Sequence, residues 1–326
     1  MTLKANLAAA LSVALAIGAA GGGAAAQTYP NHAVKVLVGY PPGGPVDIIA
    51  RVVCDKLAET WGTPVVVENI AGAGGNIAGD RVAKAAPDGY TLMMATNALV
   101  AINPSLYAKM TFEPAKDLIP ISEAVYSPNI LVVPNDLPVK SVKELVDYAR
   151  AHPGLTFASA GVGTTQHLAG ELFKAMAKID IRHVPYRGAA PVITDLLGGQ
   201  LSMYFGAIAP LIPLVKAGKL RALAVTSPKR FGAMPELPTM IEAGYPGFES
   251  VLAMGLMAPA GTPPAIIETI HQGSVKALSG ADVRAKLAAI GMEVVNSSPK
   301  EFAAAIAAER PQWAKIIKDA GIKPAN

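Results

Sequence analysis

Across 326 residues the sequence has a single cysteine, Cys54. One thiol excludes an internal disulfide framework and any multi-cysteine metal site. Charge is also sparse, at 16% Asp, Glu, Lys and Arg, and the net charge of +4 contains no basic run. That balance is too weak and diffuse for a nucleic-acid partner. Aromatics are only 6%, so the core has to come mainly from Ala, Val, Leu and Ile, which suits helices packed on a buried sheet. The five histidines (His32, His152, His167, His183 and His271) never fall at zinc-motif spacings. There is no GxxxxGK motif followed by Ser or Thr, which removes a P-loop nucleotidase. After residue 26 no apolar run escapes interruption by Pro, Gly or charge, so no later membrane span is expected.

What the chain does have is apolar mass, 52% hydrophobic residues over a length that as a soft prior makes about two domains. Its N-terminus reads as a secretory signal peptide. Lys4 supplies the positive start, Leu7 to Ala20 the apolar stretch, and Ala24-Ala25-Ala26 the small-residue cleavage pattern. The expected mature protein begins at Gln27, exported to the periplasm.

From Ala33 onward, short β-rich runs alternate with helical patterns. Strands are expected at Val34–Val38, Pro64–Glu68 and Tyr90–Ala95, with helices at about Asp47–Trp61 and from Gly75 to about Ala86. The pattern recurs with strands at Thr156–Ser159, Ile181–Tyr186, Leu201–Phe205 and Leu220–Thr226, and helices at His167–Lys178 and up to Leu197. Capping boxes at Ser141–Glu144, Thr239–Glu242 and Ser298–Glu301 predict three helix starts, and Pro311 should kink or split the last helix. The fold class is α/β: two units, each a mostly parallel sheet flanked by helices. Two apolar stretches leading into prolines, Ile130–Val133 and Met254–Met257, are candidates for strands crossing between the units. The expected division is 27–129 plus 251–326 for the first domain and 130–250 for the second.

Ligands of open α/β sheets bind beyond the carboxyl ends of the strands. Four loops share that position: Tyr40–Asp47, Gly72–Asn76, Ser159–Thr165 and Tyr186–Ala190. Their small residues allow close backbone approach, and helix-start amides attract an anion. Ser159, Thr164, Thr165 and Asn76 add neutral donors. Asp47 is either a helix cap or an acceptor for a ligand amine. Arg187 is either a surface charge or a carboxylate clamp, and Tyr40 and Phe205 either wall a pocket or belong to the core. His167 reads as structural. Enzyme signatures fail: Gly72-Ala-Gly-Gly-Asn-Ile77 lacks the third glycine of a dinucleotide fingerprint, and Ser159 has no glycine two residues before it.

The ordered motifs Tyr40-Pro-Pro-Gly-Gly-Pro-Val-Asp47, Val65-Val-Val-Glu-Asn-Ile-Ala-Gly-Ala-Gly-Gly75, Pro87-Asp-Gly-Tyr-Thr-Leu92, Gly161-Val-Gly-Thr-Thr-Gln-His-Leu-Ala-Gly-Glu171, His183-Val-Pro-Tyr-Arg-Gly188, Asp195-Leu-Leu-Gly-Gly-Gln200 and Ala258-Pro-Ala-Gly-Thr-Pro263 span the mature chain. In these the chain resembles the Bug (TctC-type) extracytoplasmic solute receptors, the substrate-binding components of tripartite tricarboxylate transporters. The resemblance implies a two-domain type II periplasmic-binding fold with the ligand cleft between the domains. It also implies capture of a di- or tricarboxylate, acidic amino acid or aromatic acid by domain closure, without cofactor, metal or catalysis. The expected ligand-binding set is Tyr40, Gly43, Gly44, Asp47, Gly75, Asn76, Thr96, Ser159, Gly163, Thr164, Thr165, Arg187, Asp195 and Phe205. Arg187 stands where the family often has lysine, and Met254 in a region that often holds tryptophan. The expected partners are membrane transporter subunits or, alternatively, a signalling kinase that reads the closed form, with the receptor itself monomeric.

Overall fold

A computed structural model describes residues 29–186 and 188–322. The expected signal segment, with its cleavage after Ala26, lies outside the described residues, as does Arg187.

The first half opens with β1 (Val34–Val38), α1 (Pro45–Trp61), β2 (Val65–Asn69), a 3-10 turn (Ala73–Gly75), α2 (Asn76–Ala83) and β3 (Thr91–Thr96). The reasons for α1 are local. Pro45 sits at its first turn, Ile49, Val53 and Leu57 recur on one buried face, and Gly62 ends it in the left-handed region at φ 64°. Beyond β3 come a π turn (Ala98–Ile102), the short α3 (Asn103–Leu106) and α4 (Pro114–Asp117), which sequence periodicity did not announce.

β4 (Leu118–Pro134) is 17 residues long and belongs to both halves. Its first part pairs with β9 (Val251–Pro259), and from Asn129 onward it pairs with β7 (Met203–Ala207) and β8 (Leu220–Val225). Both apolar stretches expected to cross between the units are found in these strands: Ile130–Val133 in β4 and Met254–Met257 in β9. The second half adds α5 (Val142–Ala151), β5 (Thr156–Ser159), α6 (Thr165–Ala177), β6 (Arg182–Pro185), α7 (Ala189–Leu197) and α8 (Ile208–Lys216). The chain closes with α9 (Pro264–Ser279), α10 (Ala281–Ala289), β10 (Glu293–Val294) and α11 (Pro299–Asp319).

The halves repeat one topology. In the first the order is β2-β1-β3-β9-β4, and in the second β6-β5-β7-β4-β8. In each, three parallel strands are followed by one antiparallel strand, β9 or β4. This is the mostly parallel α/β architecture expected from the alternating pattern.

Two expectations require correction. Thr239 and Glu242 do exchange capping bonds, Glu242 N to Thr239 Oγ1 at 3.0 Å and Thr239 N to Glu242 Oε2 at 2.8 Å. They close only a turn, because Gly244 at φ 99° and Pro246 stop propagation. Pro311 does not split α11, which runs through it as one 21-residue helix. That helix spans both halves. Phe302 is buried with Leu37, Leu99 and Val100, while Trp313, Ile316 and Ile317 join the second-half core with Leu131, Phe157 and Phe173.

At the crossing, Asn129, Thr226 and Ser250 are all buried and mutually bonded. Asn129 N donates to Thr226 Oγ1 at 2.9 Å, and Asn129 Nδ2 to Ser250 O at 3.0 Å. Thr226 Oγ1 donates to Ser250 O at 2.6 Å. Two short polar side chains, those of Asn129 and Thr226, thereby engage backbone groups of Asn129 and Ser250 where the chain changes sheet.

Candidate ligand-binding site

Each of the four small-residue loops leaves the carboxyl end of a parallel strand and enters a helix: β1 to α1, β2 through the 3-10 turn to α2, β5 to α6, and β6 to α7. β1 and β2 are direct neighbours, with Val38 opposite Asn69, as are β5 and β6, with Ser159 opposite Pro185. The loops are therefore paired in space within each half, and each pair aims two helix N-termini the same way. The partial positive charge of such termini is the physical basis for holding an anion.

In the first half, Asp47 organises the first loop. Its Oδ2 accepts from Gly43 N at 2.9 Å and from Arg51 Nε at 2.9 Å, and its Oδ1 accepts from Arg51 Nη2 and Asn69 Nδ2, both at 2.9 Å. Those donors, Arg51 foremost, hold its pKa well below the usual carboxylate range, at about 2. With four donors on two oxygens, the carboxylate braces the loop; of the two readings open in the sequence, the geometry matches the cap-like one. Asn69 Nδ2 also donates to Tyr40 O at 3.1 Å, which fixes the loop's start.

Tyr40 lies over Gly75, and its hydroxyl bonds Thr96 Oγ1 at 3.1 Å and donates to Gly74 O at 3.3 Å. Thr96 is buried and also accepts from Leu99 N at 3.3 Å, so it ties the end of β3 to both loops. Asn103 is buried and donates through Nδ2 to Gly74 O at 3.1 Å and to Asn76 Oδ1 at 2.7 Å. Gly43, Gly74 and Gly75 all have positive φ, at 81°, 62° and 93°, so the loop shape itself demands glycine there.

In the second half, Ser159 ends β5 fully buried. Its Oγ lies 2.7 Å from His183 Nε2 and 3.0 Å from Gly161 O, and accepts from Gly161 N at 3.3 Å. A serine on a histidine has the look of a nucleophile and base. Here the hydroxyl is enclosed and engaged with its own loop, which makes it a brace. Thr164 caps α6, accepting from His167 N at 3.3 Å and donating to Gly161 O at 2.7 Å. Gly163 N donates to His167 Nδ1 at 3.1 Å. Thr165 is buried, and its carbonyl accepts from Ser250 Oγ at 3.1 Å, which links the loop to the crossing.

Tyr186 donates its hydroxyl to Asp195 Oδ2 at 2.5 Å, chiefly for which its pKa is pushed up to about 12. Gly163 seats against Leu106 of α3: a β-carbon on Gly163 would stand 2.4 Å from Leu106 Cδ2.

Phe205 is a correction. It is fully buried in the second-half core, edge-on to Phe173 at 5.6 Å and stacked with Phe248 at 5.9 Å. Strand alternation sends it with Met203 to the α6 face of the sheet, into the core. Gly39, Asn69, Asn103 and His183 also hold these loops in place. Of these, only Gly39 and Asn69, at the ends of neighbouring strands, are marked by their position in the sequence.

Residues 49–322 match the family described as tripartite tricarboxylate transporter family receptor, TctC. Protein BugT of Bordetella pertussis is 37% identical over 300 residues, covering 91% of this chain and 92% of BugT. A solved R. palustris protein with adipate is 37% identical with a TM-score of 0.76, covering 91% of this chain and all of that one. MatC from Rhodopseudomonas palustris with bound malate is 32% identical with a TM-score of 0.71, over 89% of this chain and all of MatC. Sequence and fold agree: this chain belongs to the TctC family of tripartite tricarboxylate transporter receptors.

Proposed function

We propose that this protein is a periplasmic receptor that closes on a small organic carboxylate and presents it to the membrane subunits of a tripartite tricarboxylate transporter. The observation that carries the reading is the paired placement of four helix N-termini, two per half, at the ends of β1, β2, β5 and β6. The described ends of these loops offer amides and neutral side chains, which suit an anion that must be bound and then released.

In this reading one lobe comprises residues up to 129 with 251 onward, the other 130–250, and the ligand lies between them. The first-half loops at Tyr40–Asp47 and Gly72–Asn76 take one carboxylate. The second-half loop at Ser159–Thr165, with Arg187 and Asp195, reads the remainder. Two anion-attracting walls favour a dicarboxylate, in keeping with the adipate and malate of the two solved relatives. Export with cleavage after Ala26 completes the proposal.

The test is a thermal-shift series on the chain from Gln27 with adipate, malate, glutamate, benzoate and acetate. A native-state ligand at a hundredfold excess over its Kd adds about 2.7 kcal/mol, so a dicarboxylate should raise Tm by several degrees and acetate should not. No shift with any acid, from protein shown by mass spectrometry to be ligand-free, would sink the reading. Uptake of the active acid by vesicles carrying the transporter's membrane subunits, dependent on added receptor, then tests delivery.

A further inference from the structure

We propose that His167 and His183 are positioning residues for ligand capture: a stacked pair of neutral rings that holds the loop from Ser159 to Thr165 in its binding shape and is taken apart by acid. The ligand part of this inference rests on the carboxylate reading above; the loop part does not.

The geometry assigns the protons. Gly163 N donates to His167 Nδ1 at 3.1 Å, so that nitrogen carries a lone pair and the ring's hydrogen is on Nε2. A doubly protonated ring would set N–H against N–H. The ring of His183 stacks on His167 with centroids 3.8 Å apart and planes 18° from parallel, and Phe157 stacks on His183 at 4.9 Å. His183 Nε2 meets Ser159 Oγ at 2.7 Å, and that oxygen accepts from Gly161 N. Both ends of the glycine turn, at Gly161 and Gly163, are therefore held through the two imidazoles. The same Gly163 is seated against Leu106 of α3, which is buried in one core cluster with Leu131, Phe157 and Leu168, so the pair sets where this loop packs against α3.

Two charged rings at this separation would repel each other. The acid nearest His167 is Glu171, whose Oε1 stands 3.8 Å from Nε2; burial pushes its own pKa up, while Lys174 on the same helix draws it down. Lys315 and Asp319 of α11 line the groove beside Glu171 and Lys174. Burial lowers the pKa of both histidines to about 4, with His183 adding to the effect on His167. The pair is thus neutral at pH 7 and comes apart only in acid.

The experiment combines histidine side-chain NMR, amide exchange and adipate titration on wild type, H167N and H167L. Asparagine keeps an acceptor in place of Nδ1 but cannot be protonated; leucine removes it. In wild type His167 should show the Nε2–H tautomer with a titration midpoint below pH 5. The Gly163 amide should exchange on the order of tenfold faster in H167L, the effect of one lost hydrogen bond, and at nearly the wild-type rate in H167N. Between pH 7 and pH 4, adipate affinity should fall further in wild type than in H167N, a comparison in which the protonation of adipate itself cancels. A wild-type midpoint near 6.5, unchanged Gly163 exchange in H167L, or matching pH profiles for wild type and H167N would each overturn the proposal. Should H167L not fold, the wild-type tautomer and the H167N profile decide it. Absence of adipate binding by every form, with the tautomer and exchange results as expected, would remove adipate as the ligand and leave the loop device standing.

Discussion

Gly39 and Gly75 touch backbone to backbone: a β-carbon built on Gly39 would lie 2.5 Å from the α-carbon of Gly75. The loops after β1 and β2 are thus spaced by the absence of a side chain. Gly39→Ala should force them apart. Strained packing against backbone costs about 1–3 kcal/mol, so Tm should drop by several degrees and adipate affinity should fall with it. Unchanged melting and affinity would show that the loops tolerate separation.

Gly44 behaves differently. It has φ −79° and only Pro41 O within reach of an added β-carbon, at 3.6 Å. Gly44→Val should therefore melt like wild type and yet lose binding, because the new side chain stands at the start of α1, where the proposed function places the carboxylate. A variant that binds normally would move the ligand away from this helix.

Asp47 gives an acid limit to the first loop. Its pKa is held at about 2, below the ordinary 3.8. A depressed carboxyl contributes stability that is present above the unfolded value and is lost as pH falls from about 4 toward 2. Asp47→Asn should be less stable than wild type at pH 7 and converge with it near pH 2 in urea melts. Parallel curves across that range would contradict the assignment.

Glu123 acts in the opposite direction. Burial, reinforced by the nearby Glu309 and Glu249, raises its pKa to about 7 from 4.5. The native state then holds a proton that the unfolded chain has released, so stability should decline as pH rises from about 4.5 through 7. Glu123→Gln should flatten that decline and melt higher than wild type at pH 8. A steeper decline in the variant would refute this.

Phe205 separates core from pocket. Phe205→Ala should cost about 3–5 kcal/mol, as for other buried phenylalanines, and Phe205→Leu much less. Both should preserve the order of preference among carboxylates in the thermal-shift series. A changed order with Phe205→Leu would return the residue to the pocket.

The sequence was sufficient for the α/β class, the repeated units and the positions of the four loops. These depend on local signals: continuous apolar strands, helical spacing at Ile49, Val53 and Leu57, and glycines that permit positive φ at Gly43, Gly75 and Gly163. Local signals misled at Thr239, where a genuine capping pair closes only a turn, and at Pro311, where packing at both ends carries the helix through. The tertiary structure alone decided that Asp47 is occupied by Arg51, Asn69 and Gly43, that Phe205 faces the core, and that Ser159 meets His183 across 24 residues and not the nearer His167. Each depends on which strand lies beside which, and on which face of a strand a side chain takes. Strand adjacency is set by the summed burial of the whole sheet, so no single motif contains it.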